Sequence, residues 1–160
     1  MNLIPRSELT PEQLRAVELP PDEHRVLIGG PGSGKTQVLL HRAAYLRYAM
    51  DTTDGSYHIF VYTRALREYL RSACSLLDLD LACVDTLDRW CCAYYRRTLR
   101  RSLPRDHEAD SVDFAAVRAA VLDRLANDDS DPPYDFVLVD EGQDLTAEAF
   151  ALIDRLGRHV

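Results

Sequence analysis

Gly29-Gly30-Pro31-Gly32-Ser33-Gly34-Lys35-Thr36 is the stretch whose reading decides this chain. It fits G-x-x-x-x-G-K-[ST], the phosphate-binding P-loop. Its flanks suit that role. Arg25-Val26-Leu27-Ile28 is a short apolar run that predicts a buried strand, and Gln37-Val38-Leu39-Leu40 opens a helical pattern. Glycines allow positive φ, so the backbone N–H groups can face an anion, and the helix N-terminus adds partial positive charge there. Gly30, Pro31, Gly32, Ser33 and Gly34 are thus the candidate phosphate cradle. Lys35 would reach the β/γ-phosphates and the Thr36 hydroxyl would ligate Mg²⁺. Lys35 is also the one lysine of the chain, because the other eighteen basic residues are arginine. A compact ammonium suits this pocket, where a planar guanidinium fork does not.

Outside the loop, 160 residues bound the chain to one domain with a single core. No apolar stretch approaches membrane-spanning length, and Met1-Asn2-Leu3-Ile4-Pro5-Arg6 lacks the basic-then-apolar order of a signal peptide. A cytoplasmic protein with no membrane partner is expected. Cys74, Cys83, Cys91 and Cys92 have no C-x-x-C spacing, so reduced, partly buried thiols are expected rather than a zinc site. The net charge of −7 opposes indiscriminate nucleic-acid binding. Between Arg64 and Arg105, however, nine arginines face five acids, which leaves room for a local basic face.

Thr10-Pro11-Glu12-Gln13 reads as a helix start, with Thr10 as N-cap, Pro11 at the first position and Gln13 closing a capping box. A helix is predicted over 35–50 with Leu39, Leu40, Ala43, Ala44 and Leu46 inward. Tyr57–Tyr62 predicts a strand, followed by a helix burying Leu66, Leu70, Leu76 and Leu77. Leu81–Val84 predicts a third strand, and Thr86 caps a helix whose stripe makes Trp90 a core residue. Ser111–Ala126 predicts a helix with Phe114, Val117, Val121 and Leu125 inward; Phe136–Asp140 a buried strand; and Thr146–Gly157 a last helix. This alternation implies an α/β fold, a parallel sheet with helices on both faces.

Phe136-Val137-Leu138-Val139 runs into Asp140-Glu141, the partner that a P-loop requires. A carboxylate at the end of a neighbouring parallel strand reaches the same crevice. Asp140 would hold Mg²⁺, and Glu141 would orient and deprotonate an attacking water. The longer run Asp140-Glu141-Gly142-Gln143-Asp144 resembles the D-E-x-Q-D signature of UvrD/Rep-type superfamily 1 helicases. Leu9-Thr10-Pro11-Glu12-Gln13 is similar to that family's Q motif, Val61-Tyr62-Thr63-Arg64-Ala65-Leu66 to its motif Ia, and Val84-Asp85-Thr86-Leu87-Asp88-Arg89-Trp90 to its T-F-H-S-F/W segment.

The resemblance implies a RecA-like P-loop NTPase domain over residues 1–160, with a small helical insertion at about 86–130. It implies ATP and Mg²⁺ as cofactors, with Lys35, Glu141 and Gln143 catalytic and Thr36 and Asp140 on the metal. It also implies adenine recognition by Gln13, and single-stranded DNA contacts around Thr63, Arg64 and Thr86. Asp88 departs from the pattern, since many relatives carry histidine there and an acid repels phosphate. The family's second motor domain, with its arginine fingers, is not among these residues; a missing domain or partner chain is expected, and slow turnover without it. Two other readings stay open. One is a nucleotide-dependent binding module without turnover. The other is a phosphotransferase of thymidine-kinase type, which also pairs a P-loop with D-E-x-Q.

Overall fold

Four short parallel strands carry the fold, ordered across the sheet as Val84–Asp85 (β2), Tyr57–Phe60 (β1), Tyr134–Val139 (β5) and Gly157–His159 (β6). The structure is a computed structural model that describes residues 3–106, 108–128 and 130–160, the side chains of Arg64, Tyr69 and Ser72 excepted. In chain order the elements are α1 (Pro11–Val17), α2 (Lys35–Ala49), β1 (Tyr57–Phe60), α3 (Arg64–Cys74), β2 (Val84–Asp85) and α4 (Leu87–Tyr94). A hairpin of β3 (Arg105–Asp106) and β4 (Ser111–Val112) follows, then α5 (Phe114–Ala126), β5 (Tyr134–Val139), α6 (Ala147–Asp154) and β6 (Gly157–His159).

Each sheet face is closed by helices, as the alternation predicts. Tyr57, Ile59, Phe136 and Leu138 point to one face, against Leu40 and Leu46 of α2 and Leu70 of α3. Phe60 and Val137 point to the other, against Trp90 and Cys91 of α4, Val117 and Val121 of α5 and Leu152 and Ile153 of α6. Tyr57 and Phe136, register partners on β1 and β5, stack with ring centroids 5.0 Å apart. Burying side chains of this size contributes about 1.5–3 kcal/mol each, and these two layers hold the sheet. Trp90 is core, and its indole N–H donates to the Tyr134 hydroxyl at 2.7 Å. The four cysteines are buried and free. Burial pushes the Cys91 thiol up to about 12 and those of Cys74 and Cys83 up to about 11, so none is a ready nucleophile.

Several predicted elements are corrected. Arg25–Ile28 is not a strand, and Val26 and Ile28 are 87% and 90% exposed rather than buried. A strand exists only where a neighbour pairs with it. Here the neighbour supplies one bond, from the Arg25 N–H to the Val160 carbonyl at 2.9 Å. Helix α3 ends at Cys74, so Leu76 falls in the following turn and is 73% exposed instead of inward. Leu81–Cys83 forms a 3-10 turn capped by Asp80, leaving only Val84–Asp85 to pair. Ser111–Val112 pairs in the hairpin, so α5 starts after its N-cap Asp113, with Phe114 exposed on the first turn. The last helix stops at Asp154, and Gly157 opens β6.

Candidate nucleotide-binding site

Thr10 caps α1 as its sequence predicts. Its hydroxyl accepts from the Gln13 N–H at 3.2 Å, and the Gln13 side-chain oxygen accepts from the Thr10 N–H at 2.9 Å. The same Gln13 amide reaches out of the helix, and its Nε2 donates to the Ser33 carbonyl at 3.0 Å. One residue therefore caps α1 and clamps the phosphate loop. Leu9 and Val17 packed on Val38 hold α1 against α2, which keeps that clamp in place.

In the loop, Gly32 and Gly34 take φ of +75° and +83°, the left-handed conformation expected of glycine. At Gly34 space is also short, because an added Cβ would lie 2.6 Å from Gln13 Nε2. No described residue accepts a hydrogen bond from the backbone N–H of Gly32, Gly34, Lys35 or Thr36. These donors stand together at the head of a fifteen-residue helix, where an anion would satisfy them. The Lys35 ammonium lies back on the loop, donating to the Gly29 carbonyl at 2.9 Å and the Gly30 carbonyl at 3.2 Å.

The second motif arrives from β5. Asp140, 4% exposed, accepts a hydrogen bond from the Thr36 hydroxyl at 2.9 Å on one oxygen and the Glu141 N–H at 3.1 Å on the other. Burial raises the Asp140 pKa, and the Thr36 hydrogen bond opposes the rise. A hydroxyl and a carboxylate, both hard oxygen donors, suit Mg²⁺, which takes one or two protein oxygens and completes its shell with phosphate and water. Glu141 holds a left-handed backbone, φ +55°, at the exit of β5. Its carboxylate accepts from Gln143 Nε2, so the predicted base and glutamine are joined side by side. Positive φ at a residue other than glycine is a strain associated with functional turns.

The structure thus brings Gln13, residues 30–36, Asp140, Glu141 and Gln143 into one site, and this convergence puts a P-loop on a parallel sheet. A family model described as an AAA domain matches residues 13–160. The chain belongs to the AAA domain family. No curated protein and no solved structure matches it. As an AAA domain it is an α/β nucleotide-binding module of P-loop type. No described helix of this AAA domain is long and apolar enough to cross a membrane.

The residues predicted to meet DNA lie along the same sheet edge of the AAA domain, just past β1 and β2. Thr63 caps α3, accepting from the Leu66 N–H at 3.1 Å, and Thr86 caps α4, accepting from the Arg89 N–H at 3.4 Å. The side chain of Arg64 lies outside the described set. Asp88 is paired with Arg118 of α5, which offsets the charge that sets it apart from the helicase pattern. Three features were not anticipated. Asp85 bridges Arg67 at 3.2 Å and Arg89 at 3.0 Å, fastening β2 between two helices. Arg42, buried on α2, donates to the carbonyls of Val17 at 3.1 Å and Leu19 at 2.9 Å and to His159 Nε2 at 2.9 Å. It ties the end of α1 to β6, and an arginine within the apolar run of α2 was the available signal. His58, also buried, has no partner for its Nε2 among the described residues.

Proposed function

We propose that this chain is the ATP-binding part of a UvrD/Rep-type superfamily 1 DNA helicase, binding Mg²⁺–ATP at the phosphate loop. In the complete motor, hydrolysis would drive movement along single-stranded DNA. The observation that carries this reading is the 2.9 Å contact between the Thr36 hydroxyl and the Asp140 carboxylate, with Glu141 and Gln143 beside it. Two oxygens from positions 104 residues apart meet at the mouth of an anion cradle, where a metal–phosphate complex requires them.

The chain's own groups then divide the work. Lys35 would exchange its contacts with the Gly29 and Gly30 carbonyls for phosphate oxygens, and Thr36 and Asp140 would hold the ion. Mg²⁺, when bound, would neutralise charge on the phosphates. Glu141 takes the proton of the attacking water, and the amide of Gln143 holds that carboxylate in place. Single-stranded DNA lies across Thr63, Arg64 and Thr86. Their position beside Asp140 at the same strand ends supports coupling between the two ligands, and a second motor domain or partner chain completes the machine.

The test is calorimetric titration of Mg²⁺–ATP into the wild type and Lys35→Ala, with oligothymidine anisotropy on the same samples. Equal ATP affinity in the two proteins refutes the nucleotide reading. Absence of oligothymidine binding at low salt refutes the DNA reading.

A further inference from the structure

A cavity of about 230 Å³ opens at the end of the sheet opposite the phosphate loop. His58 near the start of β1 and Tyr134 at the start of β5 line it, whereas Asp140 meets Thr36 at the other end, just past Val139. Trp90 and Tyr94 of α4, stacked with ring centroids 5.1 Å apart, form an aromatic wall. Past Tyr94 the chain takes a π-helical turn, Tyr95–Leu99, of a kind frequent at functional sites. This turn carries Arg97, which also lines the cavity, with its guanidinium 5.9 Å from the Tyr94 ring centroid in a cation–π contact.

Two polar groups of the wall have spare capacity. His58 is 7% exposed, and its buried Nε2 has no partner among the described residues. Burial lowers its pKa to about 4, so at neutral pH the ring is uncharged and offers one donor and one acceptor. The Tyr134 hydroxyl accepts from the Trp90 indole at 2.7 Å, and its own proton has no acceptor among the described residues. Unpaired groups of this kind are costly in a folded interior. Positive charge is in excess beside them. Arg97 and its exposed chain neighbours Arg96, Arg100 and Arg101 form no ion pair with any described residue. Of the acids that line the cavity, Asp85 is neutralised by Arg67 and Arg89, and Asp80 accepts from the Ala82 N–H and the Cys83 thiol.

We propose that this cavity binds a nucleobase carrying a phosphate, with the base among the aromatic side chains and the phosphate on Arg97. Every base presents a π-face to aromatic walls and a polar edge that would pair with His58 and Tyr134. An apolar side chain would fill the same space and leave both groups unpaired. A guanidinium gives a phosphate two parallel hydrogen bonds, and the neighbouring arginines extend the same charge along the turn. The cavity is smaller than drug-sized sites of about 300–1,000 Å³, which limits it to one base. It is separate from the phosphate loop and stands whether or not that loop takes ATP.

Trp90 is the one tryptophan of the chain, so its emission reports on this cavity. Thymidine 5′-monophosphate should quench it saturably, thymidine should bind about tenfold more weakly, and deoxyribose 5-phosphate should leave the emission unchanged. Arg97→Ala, at an exposed position, should weaken the monophosphate about tenfold. Arg15→Ala removes the same charge from α1, which packs on α2 across the sheet, and should leave that affinity unchanged. Oligothymidine that binds more tightly than the monophosphate, or quenches alone, marks a single strand as the source of the base; equal affinity marks a free nucleotide, and either supports the site. Quenching by neither nucleotide, or equally by deoxyribose 5-phosphate, overturns the proposal. So does thymidine binding as well as its monophosphate, or equal losses in Arg97→Ala and Arg15→Ala, or no loss in Arg97→Ala.

Discussion

Gln13→Ala separates the two duties of one side chain. The substitution removes the bond from the Thr10 N–H to Oε1 at 2.9 Å and the bond from Nε2 to the Ser33 carbonyl at 3.0 Å. The bond from the residue 13 N–H to the Thr10 hydroxyl survives. A net hydrogen bond contributes about 0.5–1.5 kcal/mol, and partial exposure puts both of these in the lower half, so the loss is about 1–2 kcal/mol in total. Gln13→Glu keeps an acceptor for Thr10, as a capping box allows, but sets a carboxylate against the Ser33 carbonyl. It should recover roughly half of the lost stability. Urea unfolding of the three nucleotide-free proteins measures this.

Freeing Ser33 also loosens the phosphate cradle, so both variants should bind ADP and GDP about two- to tenfold more weakly, the equivalent of one net hydrogen bond. If Gln13 reads adenine as well, Gln13→Ala weakens ATP more than GTP and narrows a wild-type preference for ATP. Wild-type urea midpoint and ADP affinity in Gln13→Ala would refute the clamp. An unchanged ATP/GTP ratio would refute base reading while leaving the clamp intact.

Lys35→Ala should weaken Mg²⁺–ATP binding by about 1.5–3 kcal/mol per charge-assisted bond, with little effect on the urea midpoint, since Nζ contacts only exposed loop carbonyls. Burial lowers the His58 pKa from 6.5 to about 4. Below pH 6.5 the unfolded chain therefore binds more protons than the folded one, and stability falls as pH drops from 6.5 toward 4, by about 2 kcal/mol between pH 7 and 5. Urea titrations at those two pH values, repeated on His58→Leu, should show the slope reduced in the variant. His159, also shifted down by burial and by Arg42, leaves a smaller residual slope of the same sign. Glu141→Gln should remove ATP turnover, with or without oligothymidine, while leaving Mg²⁺–ATP affinity within about twofold, since Gln keeps the shape and loses the base. Turnover in Glu141→Gln equal to that of the wild type would refute Glu141 as the base.

Local chemistry was legible in the residues themselves. Thr10 and Gln13 form their capping box because the donors and acceptors lie within one turn, and Gly32 and Gly34 take left-handed φ because the loop needs no distant partner to demand it. Thr86 caps its helix for the same reason. The apolar runs of β1 and β5 were readable as buried strands because each is short, β-branched or aromatic, and covered on both faces. Whether an apolar run is paired is a different matter, set by the backbone beside it. Val26–Ile28 has the same composition as a core strand, yet its backbone pairs with no described residue. The paired motifs also made the meeting of Thr36 and Asp140 legible, although 104 positions separate them. Tertiary structure alone decided that the Gln13 amide clamps Ser33 and that Arg118 answers Asp88, because no local pattern or periodicity joins those residues and only the packing of the helices brings them together.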